Sequence, residues 1–210
     1  MSVLVSAMAS STPAVVLAAG FSRRLGRDKA LVEVNGRPLV RWVYDRLKQA
    51  GCQPVVIVVN EQSAPAIARA VPLALLSVNP DPDAGRTGSL QCGLRSLAEA
   101  MGTAPERVVM APVDRPGWTV EVLDVVLQSH GDAAPAHNGR NGHPVLLTKA
   151  SIETVMASDA DRPLRELVVF TSVSVHAPWL RLNLDTHVDV DQLLLDKAVL
   201  EACFNQGEGI

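Results

Sequence analysis

Apolar residues follow two different spacings along the first half of the chain. Short, mainly apolar runs suit buried strands, and they occupy residues 15–19, 54–59, 73–78 and 107–111. Between them, apolar positions recur at helical spacing in residues 38–50, 63–71 and 89–100. This alternation predicts an α/β fold with a doubly wound, Rossmann-like and mostly parallel sheet. Right-handed crossovers would bring the loops at the carboxyl ends of the strands to one edge, where such sheets bind ligands.

The second half of the chain has a less regular pattern. Two Asn-Gly pairs, Asn138-Gly139 and Asn141-Gly142, predict a hairpin or a glycine-rich loop. Further predicted elements are a helix at 119–128, helices at 149–156 and 163–169, strands at 173–176 and 180–182, and a helix near 192–195. Near the start, residues 31–34 alternate before the turn pair Asn35-Gly36. We expect one domain over residues 13–210, preceded by a disordered leader at 1–12.

Composition narrows the classes of partner. The chain has 210 residues, of which 48% are hydrophobic and 20% charged, which suits one globular domain. A net charge of -3 and an aromatic content of 3% argue against nucleic-acid binding, so the expected partners are small anions. The N-terminal segment lacks the features of a signal peptide or membrane span. The cysteines (Cys52, Cys92 and Cys203) have no metal or disulfide spacing. These observations predict a cytoplasmic protein without a membrane partner.

The loop after the first strand carries the strongest chemical signal. Gly20 and Gly26 lie six residues apart among Ser22, three arginines and Lys29. Small residues let backbone N–H groups approach phosphate oxygens, and Arg24 and Lys29 add positive charge. The sequence lacks the Gly-Lys-Ser/Thr of a Walker loop and the three close glycines of a dinucleotide fingerprint. The alternative is a structural turn with basic residues exposed to water.

This loop resembles the signature of the MobA-like nucleotidyltransferases. The matching pattern is Leu17-Ala18-Ala19-Gly20-x-Ser22-x-Arg24-Leu25-Gly26-x-Asp28-Lys29. The family includes enzymes that attach GMP or CMP to molybdopterin, and it is related to sugar-phosphate and methylerythritol-phosphate nucleotidyltransferases. The resemblance implies a fold of the nucleotide-diphospho-sugar transferase type. It also implies nucleotide binding by Leu17, Ala18, Ala19, Gly20, Ser22, Arg24, Gly26 and Lys29.

Two acidic positions are candidates for a metal site. Asp114 ends an apolar strand, where a carboxylate could bind Mg²⁺ together with waters and phosphate oxygens, although Asp before Arg-Pro also forms turns. Its position resembles the strand-end acid of the family. Residues 183–189 resemble the family's second polar motif, which implies Asp185, or else Asn183, as the second Mg²⁺ ligand. Capping of the last helix by Thr186 is the structural alternative, and both roles are compatible.

Two further segments resemble family elements around the ligands. Residues 79–90 match a loop that helps to hold the base and ribose, which implies roles for Gly85 and Ser89. Ser89 is also a plausible N-cap of the following helix, and a capped helix without a ligand is the alternative. The run Gly142-His143-Pro144 resembles a segment on the acceptor side, although a lone histidine beside proline is more often a packed turn residue.

The resemblance implies a Mg²⁺-dependent nucleotidyltransferase that transfers NMP from an NTP to a small phosphorylated acceptor. Lys29 would stabilise the α-phosphate, Arg24 the departing β,γ-phosphates, and Asp114 would complete the catalytic set. Ala19 stands where guanosine-using relatives often have glycine, so we expect CTP to be favoured over GTP, with molybdopterin as a candidate acceptor. The alternatives are a sugar-1-phosphate nucleotidyltransferase and a nucleotide-binding regulatory protein without turnover.

Overall fold

The computed structural model describes residues 11–205 and is organised around one central sheet. Its strands, and those of a separate hairpin, are β1 (Ala14–Ala18), β2 (Glu33–Val34), β3 (Arg37–Pro38), β4 (Val55–Val59), β5 (Leu75–Val78), β6 (Arg107–Pro112), β7 (Ala133–His137), β8 (Arg140–Asn141), β9 (Val145–Thr148) and β10 (Thr171–Ser174). The helices are α1 (Leu39–Gln49), α2 (Ala64–Ala70), α3 (Arg86–Met101), α4 (Val120–Leu127), α5 (Lys149–Ala157), α6 (Leu164–Leu167), α7 (His187–Leu195) and α8 (Lys197–Cys203).

The strand directions confirm the predicted α/β fold with a mostly parallel sheet. Across the sheet the order is β10, β7, β9, β6, β1, β4 and β5, with β8 paired to β7. β9 runs antiparallel to its neighbours β6 and β7, whereas β1 is parallel to both β4 and β6. The carboxyl ends of β1, β4 and β6 therefore meet at one edge of the sheet.

Helices cover both faces of the sheet, which explains why its central strands are apolar throughout. Alternate residues of β1 belong to two separate core clusters because successive side chains of a strand point to opposite faces. The cluster with Val16 includes residues of α1, α2, α4, α7 and α8. The cluster with Val15 includes residues of α3 and α5, with α6 packed against it. All five residues of β1 are buried, as are those of β4.

Two of the three Asn-Gly pairs form hairpin turns, whereas Asn141 of the third pair lies in β8. Asn35 and Gly36 have φ values of 50° and 71° and join β2 to β3, while Asn138 and Gly139 have φ values of 50° and 71° and join β7 to β8. Positive φ at both central residues matches the right-handed twist of the paired strands. The hairpin alternative for the second half of the chain is therefore the one that forms.

Three local predictions need correction or fall outside the described residues. Residues 180–182 form a turn instead of a strand, and α3 begins at Arg86, so Ser89 lies inside the helix and is not its N-cap. Gly85 holds the N-cap position with a φ of 116°. The predicted leader lies outside the described residues up to residue 10, and Ser11 Oγ donates a hydrogen bond of 2.9 Å to the Gln53 carbonyl. Among the described residues, no helix is long and apolar enough to cross a membrane.

Candidate active site

The glycine-containing loop after β1 is held in shape by its own hydrogen bonds. The N–H groups of Leu25 and Gly26 donate to the Ser22 carbonyl at 2.9 and 3.1 Å, and the Lys29 N–H donates to Ser22 Oγ at 3.0 Å. Ser22 adopts a φ of 52° and Gly26 a φ of 67°, which tightens the turn. The Leu25 side chain is fully buried and anchors the loop to the core. Asp28 then caps the short 3₁₀ helix that begins at Lys29.

A buried asparagine at the neighbouring strand end supports this loop, and the sequence patterns did not reveal it. Asn60 follows β4 and donates from Nδ2 to the Ala19 carbonyl at 3.0 Å. Its Oδ1 accepts from the Ser63 N–H at 2.9 Å, so both ends of the amide are used. This contact fixes the first residues of the loop against β4. A polar residue directly after an apolar strand was the available signal.

Lys29 brings together the two acidic residues that the sequence analysis singled out. Its Nζ lies 3.7 Å from Asp114 Oδ2 and donates a hydrogen bond to Asp185 Oδ1. Asp114 follows β6 and Asp185 precedes α7, and the Leu184 N–H donates to the Asp114 carbonyl at 3.0 Å. Two segments that are far apart in the sequence are therefore joined at the edge of the sheet. The Lys29 side chain is only 15% exposed.

Positive charge and hydrogen bonds keep Asp185 ionised. The hydrogen bond from Lys29 is the main cause that lowers the pKa of Asp185 to about 2, and the Asn183 amide and the charge of Arg24 act in the same direction. Asn183 Nδ2 donates to Asp185 Oδ2 at 2.7 Å, and Arg24 Nη2 lies 3.4 Å from the same oxygen. The Arg24 side chain is 73% exposed, so it can reach ligands in the open part of the site. Asp185 is thus a carboxylate at any physiological pH.

The oxygen atoms at this edge fit a hard divalent cation. Asn183 Oδ1 is buried and has no hydrogen-bond partner, and the Nδ2 of the same amide contacts the carboxylate of Asp185. Mg²⁺ is usually bound by one or two carboxylates, with waters and substrate phosphates as its other ligands. Within residues 11–205, no group of three or more His, Cys, Asp or Glu residues could hold a metal by itself. A site here would therefore depend on the amide and on substrate oxygens as well as on the two acids.

The predicted cap at the same segment also forms. Thr186 Oγ1 accepts from the Asp189 N–H at 3.3 Å, while Asp189 Oδ2 accepts from the Thr186 N–H at 2.7 Å. This reciprocal capping box starts α7 directly after Asp185. The helix start therefore holds Asp185 in place, and the capping role and the proposed metal role do not exclude each other.

Two small adjoining cavities lie over the loop and contain most of the predicted nucleotide-binding residues. One, of about 180 Å³, is lined by Leu17, Ala18, Ala19, Gly20, Ser22, Lys29, Gly85, Ser89 and Asp114 among others. The other, of about 230 Å³, is lined by Gly20, Ser22, Arg24, Lys29 and Asp185 among others. Gly26 and Asn183 line neither of these two cavities. Gly26 instead shapes the back of the loop.

Ser89 is engaged with the loop before α3. Asn79 Nδ2 donates to Ser89 Oγ at 3.0 Å, and Ser89 Oγ donates to the Gly85 carbonyl at 3.4 Å. A Cβ on Gly85 would lie 3.2 Å from the Ala160 carbonyl oxygen, so the loop packs closely against the segment before α6. These contacts set the shape of the wall on the side of the predicted base site.

A larger cavity of about 760 Å³ adjoins the nucleotide cavities on the side of β9. Its floor is mainly apolar, and its cationic lining consists of Arg86, Arg115, Arg162, Arg165 and Arg181. Burial, together with the charges of Arg86 and Arg115, lowers the pKa of His143 in its wall to about 4. Sequence reasoning pointed to His143 but missed these arginines. Their positions scatter along the chain without a motif, although Arg86 and Arg115 directly follow the candidate site residues Gly85 and Asp114.

The fold and this cluster of charges define a protein of the nucleotidyltransferase class. A basic glycine loop after the first strand, an acid at the end of β6 and a second acid just before α7 suit a nucleotide triphosphate with its metal. The sequence then identifies the family. Residues 14–175 match the MobA-like NTP transferase domain, and the chain belongs to this family of nucleotidyltransferases.

Curated relatives extend the similarity over most of the chain. A molybdenum cofactor guanylyltransferase from Shewanella putrefaciens is 27% identical over 88% of this chain and 96% of its own length. A nicotine blue oxidoreductase from Paenarthrobacter nicotinovorans is 31% identical over 70% of this chain and 76% of its own length. The names of these two relatives describe different activities, so similarity alone does not select the substrates.

A solved structure supports the fold. A Mycobacterium tuberculosis protein, crystallised in complex with manganese, superposes with a TM-score of 0.68 at 20% identity, and the match covers 88% of this chain and 98% of that one. At this identity the similarity shows the α/β architecture and nothing about the ligands.

Proposed function

We propose that this chain uses a divalent cation, Mg²⁺, to transfer NMP from an NTP to a phosphorylated acceptor, with molybdopterin as the first candidate. The observation that carries the proposal is the position of Lys29 between the carboxylates of Asp114 and Asp185 at the mouth of the nucleotide cavities. Relatives named molybdenum cofactor guanylyltransferase support the choice of acceptor.

The reaction requires positioning and charge neutralisation, with no covalent enzyme intermediate. An oxygen of the acceptor phosphate attacks the α-phosphorus, the bond from that phosphorus to the bridging oxygen breaks, and pyrophosphate leaves. Lys29 stabilises the negative charge that develops on the α-phosphate. Arg24, whose side chain is mostly exposed, neutralises the β,γ-phosphates. The backbone of Ala18, Ala19 and Gly20 lines the cavity in which the nucleotide would lie.

Asp114 and Asp185 would hold the cation, with Asn183 Oδ1 as a neutral oxygen ligand beside them. The cation would supply Lewis-acid stabilisation of phosphate charge. Lys29 lies between these acids in the free protein, so its ammonium occupies part of the space between them. We expect Lys29 to exchange these carboxylate contacts for contacts with the nucleotide.

The choice of nucleotide base is the most detailed part of the proposal. CTP over GTP stays a prediction, and the names of the curated guanylyltransferase relatives do not support it. Ala19 is 2% exposed and belongs to the core cluster beside α3, so little of its methyl group is available to narrow a base site. The loop of residues 79–85 and Ser89 then becomes the main candidate for base selection.

The large cavity supports an acceptor with an apolar body and at least one anionic group. Its volume of about 760 Å³ is in the usual range for sites that bind small molecules. Arginines suit a phosphate ester because their planar groups donate two parallel hydrogen bonds. A sugar-1-phosphate nucleotidyltransferase is the alternative within the same class of enzyme. A sugar would suit a more polar cavity than this one, so the mainly apolar lining favours an acceptor with an apolar body.

The test is pyrophosphate release by the purified protein with each of four NTPs, paired with molybdopterin or with sugar 1-phosphates, in the presence of Mg²⁺. The proposal expects release with molybdopterin and one preferred NTP. Release with a sugar 1-phosphate alone would select the same-class alternative. NTP binding without release for any pair would favour a regulatory nucleotide-binding protein. Lys29→Ala in each assay controls for contaminating activity.

A further inference from the structure

Arg86 lies where the nucleotide cavity and the large cavity meet. It is the first residue of α3 and lines both cavities. Its Nη2 lies 3.3 Å from Asp114 Oδ2, while its side chain is still 62% exposed. A guanidinium has five N–H donors, and one contact at this distance leaves most of them available. Arg86 can therefore keep its contact with Asp114 and bind a second anion from the side of the large cavity.

The backbone below Arg86 is fixed by the neighbouring segment. Thr87 Oγ1 donates to the Arg162 carbonyl at 2.5 Å, and the Gly88 N–H donates to the Ala160 carbonyl at 2.9 Å. A Cβ on Gly88 would approach the Ala160 Cβ to 3.0 Å, which shows how closely the first turn of α3 is packed. The start of the helix is thus rigid, and only the guanidinium is free to adapt to a ligand.

His143 provides a second and independent sign of a ligand at this place. It lies in the wall of the large cavity, and its Nδ1 is buried without a hydrogen-bond partner. A buried polar atom without a partner is costly, so native structures usually satisfy it with water or a ligand. Burial is the main cause that lowers the pKa of this imidazole, and the charges of Arg86 and Arg115 act in the same direction, so the neutral ring can donate from one nitrogen without adding charge.

We propose that Arg86 binds the phosphate of the acceptor, with Arg115 and His143 completing this subsite, and thereby holds the attacking oxygen beside Asp114. The inference rests on the proposed function for the existence of an acceptor, and it assigns this chain's own residues to the acceptor's anionic group. A neutral imidazole and two guanidinium groups in the lining of one cavity suit a dianionic phosphomonoester because all three side chains can donate hydrogen bonds to it. The apolar floor would then hold the body of the acceptor.

The direct test is binding of phenyl phosphate, with phenol as the uncharged probe of matched shape. NMR follows the His143 Cε1–H signal, which is assigned with His143→Gln, at fixed pH in the wild type, Arg86→Ala and Arg86→Lys. Arg95→Ala is the matched control because Arg95 is an exposed arginine on the same helix. We expect phenyl phosphate, but not phenol, to shift the signal in a saturable manner. Arg86→Ala should weaken this binding by about tenfold or more, since charge-assisted contacts are strong.

The outcomes separate this inference from the transferase proposal. Partial rescue by Arg86→Lys and unchanged binding in Arg95→Ala would support a charged contact at Arg86. Equal affinity of wild type and Arg86→Ala, or an unmoved His143 signal, would overturn the inference even if the enzyme turns over. Saturable binding that depends on Arg86 would uphold it even if no NTP pair releases pyrophosphate. In an active enzyme, Arg86→Ala should raise the KM of the acceptor at least fivefold more than the KM of the NTP.

Discussion

Lys29→Ala is the perturbation for which the structure gives the clearest expectation. The ammonium contacts both Asp114 and Asp185 and is only 15% exposed, in contrast to Arg24 at 73%. Removing it leaves two carboxylates that face each other without their shared cation. The change should therefore affect both chemistry and folding, and the two effects have different sizes.

The effect on folding can be derived from Asp185. Its pKa is lowered from 3.8 to about 2, mainly by Lys29, and one pKa unit corresponds to about 1.4 kcal/mol. Solvent screening of this partly exposed pair reduces the upper bound of about 2.5 kcal/mol to about 1 kcal/mol. Because the pKa is lower in the folded state, this stabilisation is complete above pH 4 and is lost as the pH falls towards 2. Lys29→Ala should thus lower Tm by about 2–4 °C at pH 7.

The effect on turnover should be much larger. Loss of a charged contact to the transition state costs roughly 2.7–4 kcal/mol, or about a hundred- to thousandfold in rate. Pyrophosphate release and thermal unfolding are measured on Lys29→Ala, Lys29→Arg and Arg27→Ala, the last an exposed arginine of the same loop. Turnover of Lys29→Ala within threefold of wild type would refute the assigned role. A Tm loss above about 10 °C without ligand would show that the lysine is chiefly structural.

Three other predictions concern the acids, the base and the buried histidine. Activity should require Mg²⁺, and Asp114→Asn should need a higher Mg²⁺ concentration than Asp185→Asn, because Asn183 can substitute as a ligand beside Asp185. If activity depends on Mg²⁺ concentration in the same way in wild type and Asp114→Asn, Asp114 is not a ligand of the metal. In direct competition CTP should be used before GTP, by at most about 1–3 kcal/mol, and Ala19→Gly should leave this preference unchanged because the Ala19 methyl group is buried in the core. A preference for GTP would refute the cytidylyl prediction and leave the transferase proposal intact. The free energy of unfolding should decrease by up to about 3 kcal/mol as the pH is lowered from about 6.5 to 4. His143 has a pKa of about 4 in the folded state, so in this pH range it takes up a proton when the protein unfolds. Urea unfolding at pH 7 and 5 should show this loss in wild type and a smaller one in His143→Gln, and equal losses would contradict it.

The local elements were largely predictable because their causes are local. β4 is an unbroken β-branched run, and the turns at Asn35-Gly36 and Asn138-Gly139 need residues that tolerate positive φ. The start of α3 was misjudged because Ser89 has the character of a cap, whereas tertiary contacts of Gly88 with Ala160 extend the helix back to Arg86. Residues 180–182 alternate like a strand but have no neighbour to pair with, and they form a turn.

The candidate site also contains residues that the sequence could indicate and residues that only the structure brings together. Gly20, Lys29 and the strand-end Asp114 could be proposed from the sequence because phosphate binding needs small residues and charge at a defined spacing after a strand. The sequence did not point to Arg86 because it is one arginine among many and has no characteristic spacing to other polar residues. Its importance appears only through its position between two cavities, beside Asp114 and near His143.

The sequence by itself determined the alternation of strands and helices in the first half of the chain and the family, and it made the glycine-containing loop the candidate phosphate site, because hydrophobic period, turn chemistry and motif spacing act within a few residues. Only the tertiary structure decided that Lys29 lies between Asp114 and Asp185, and that β9 runs antiparallel beside β6. It also decided that scattered arginines surround one cavity. These contacts join segments that are far apart in the chain, so no local conformational preference can specify them. They form because the two core clusters pack against the sheet and bring these segments together.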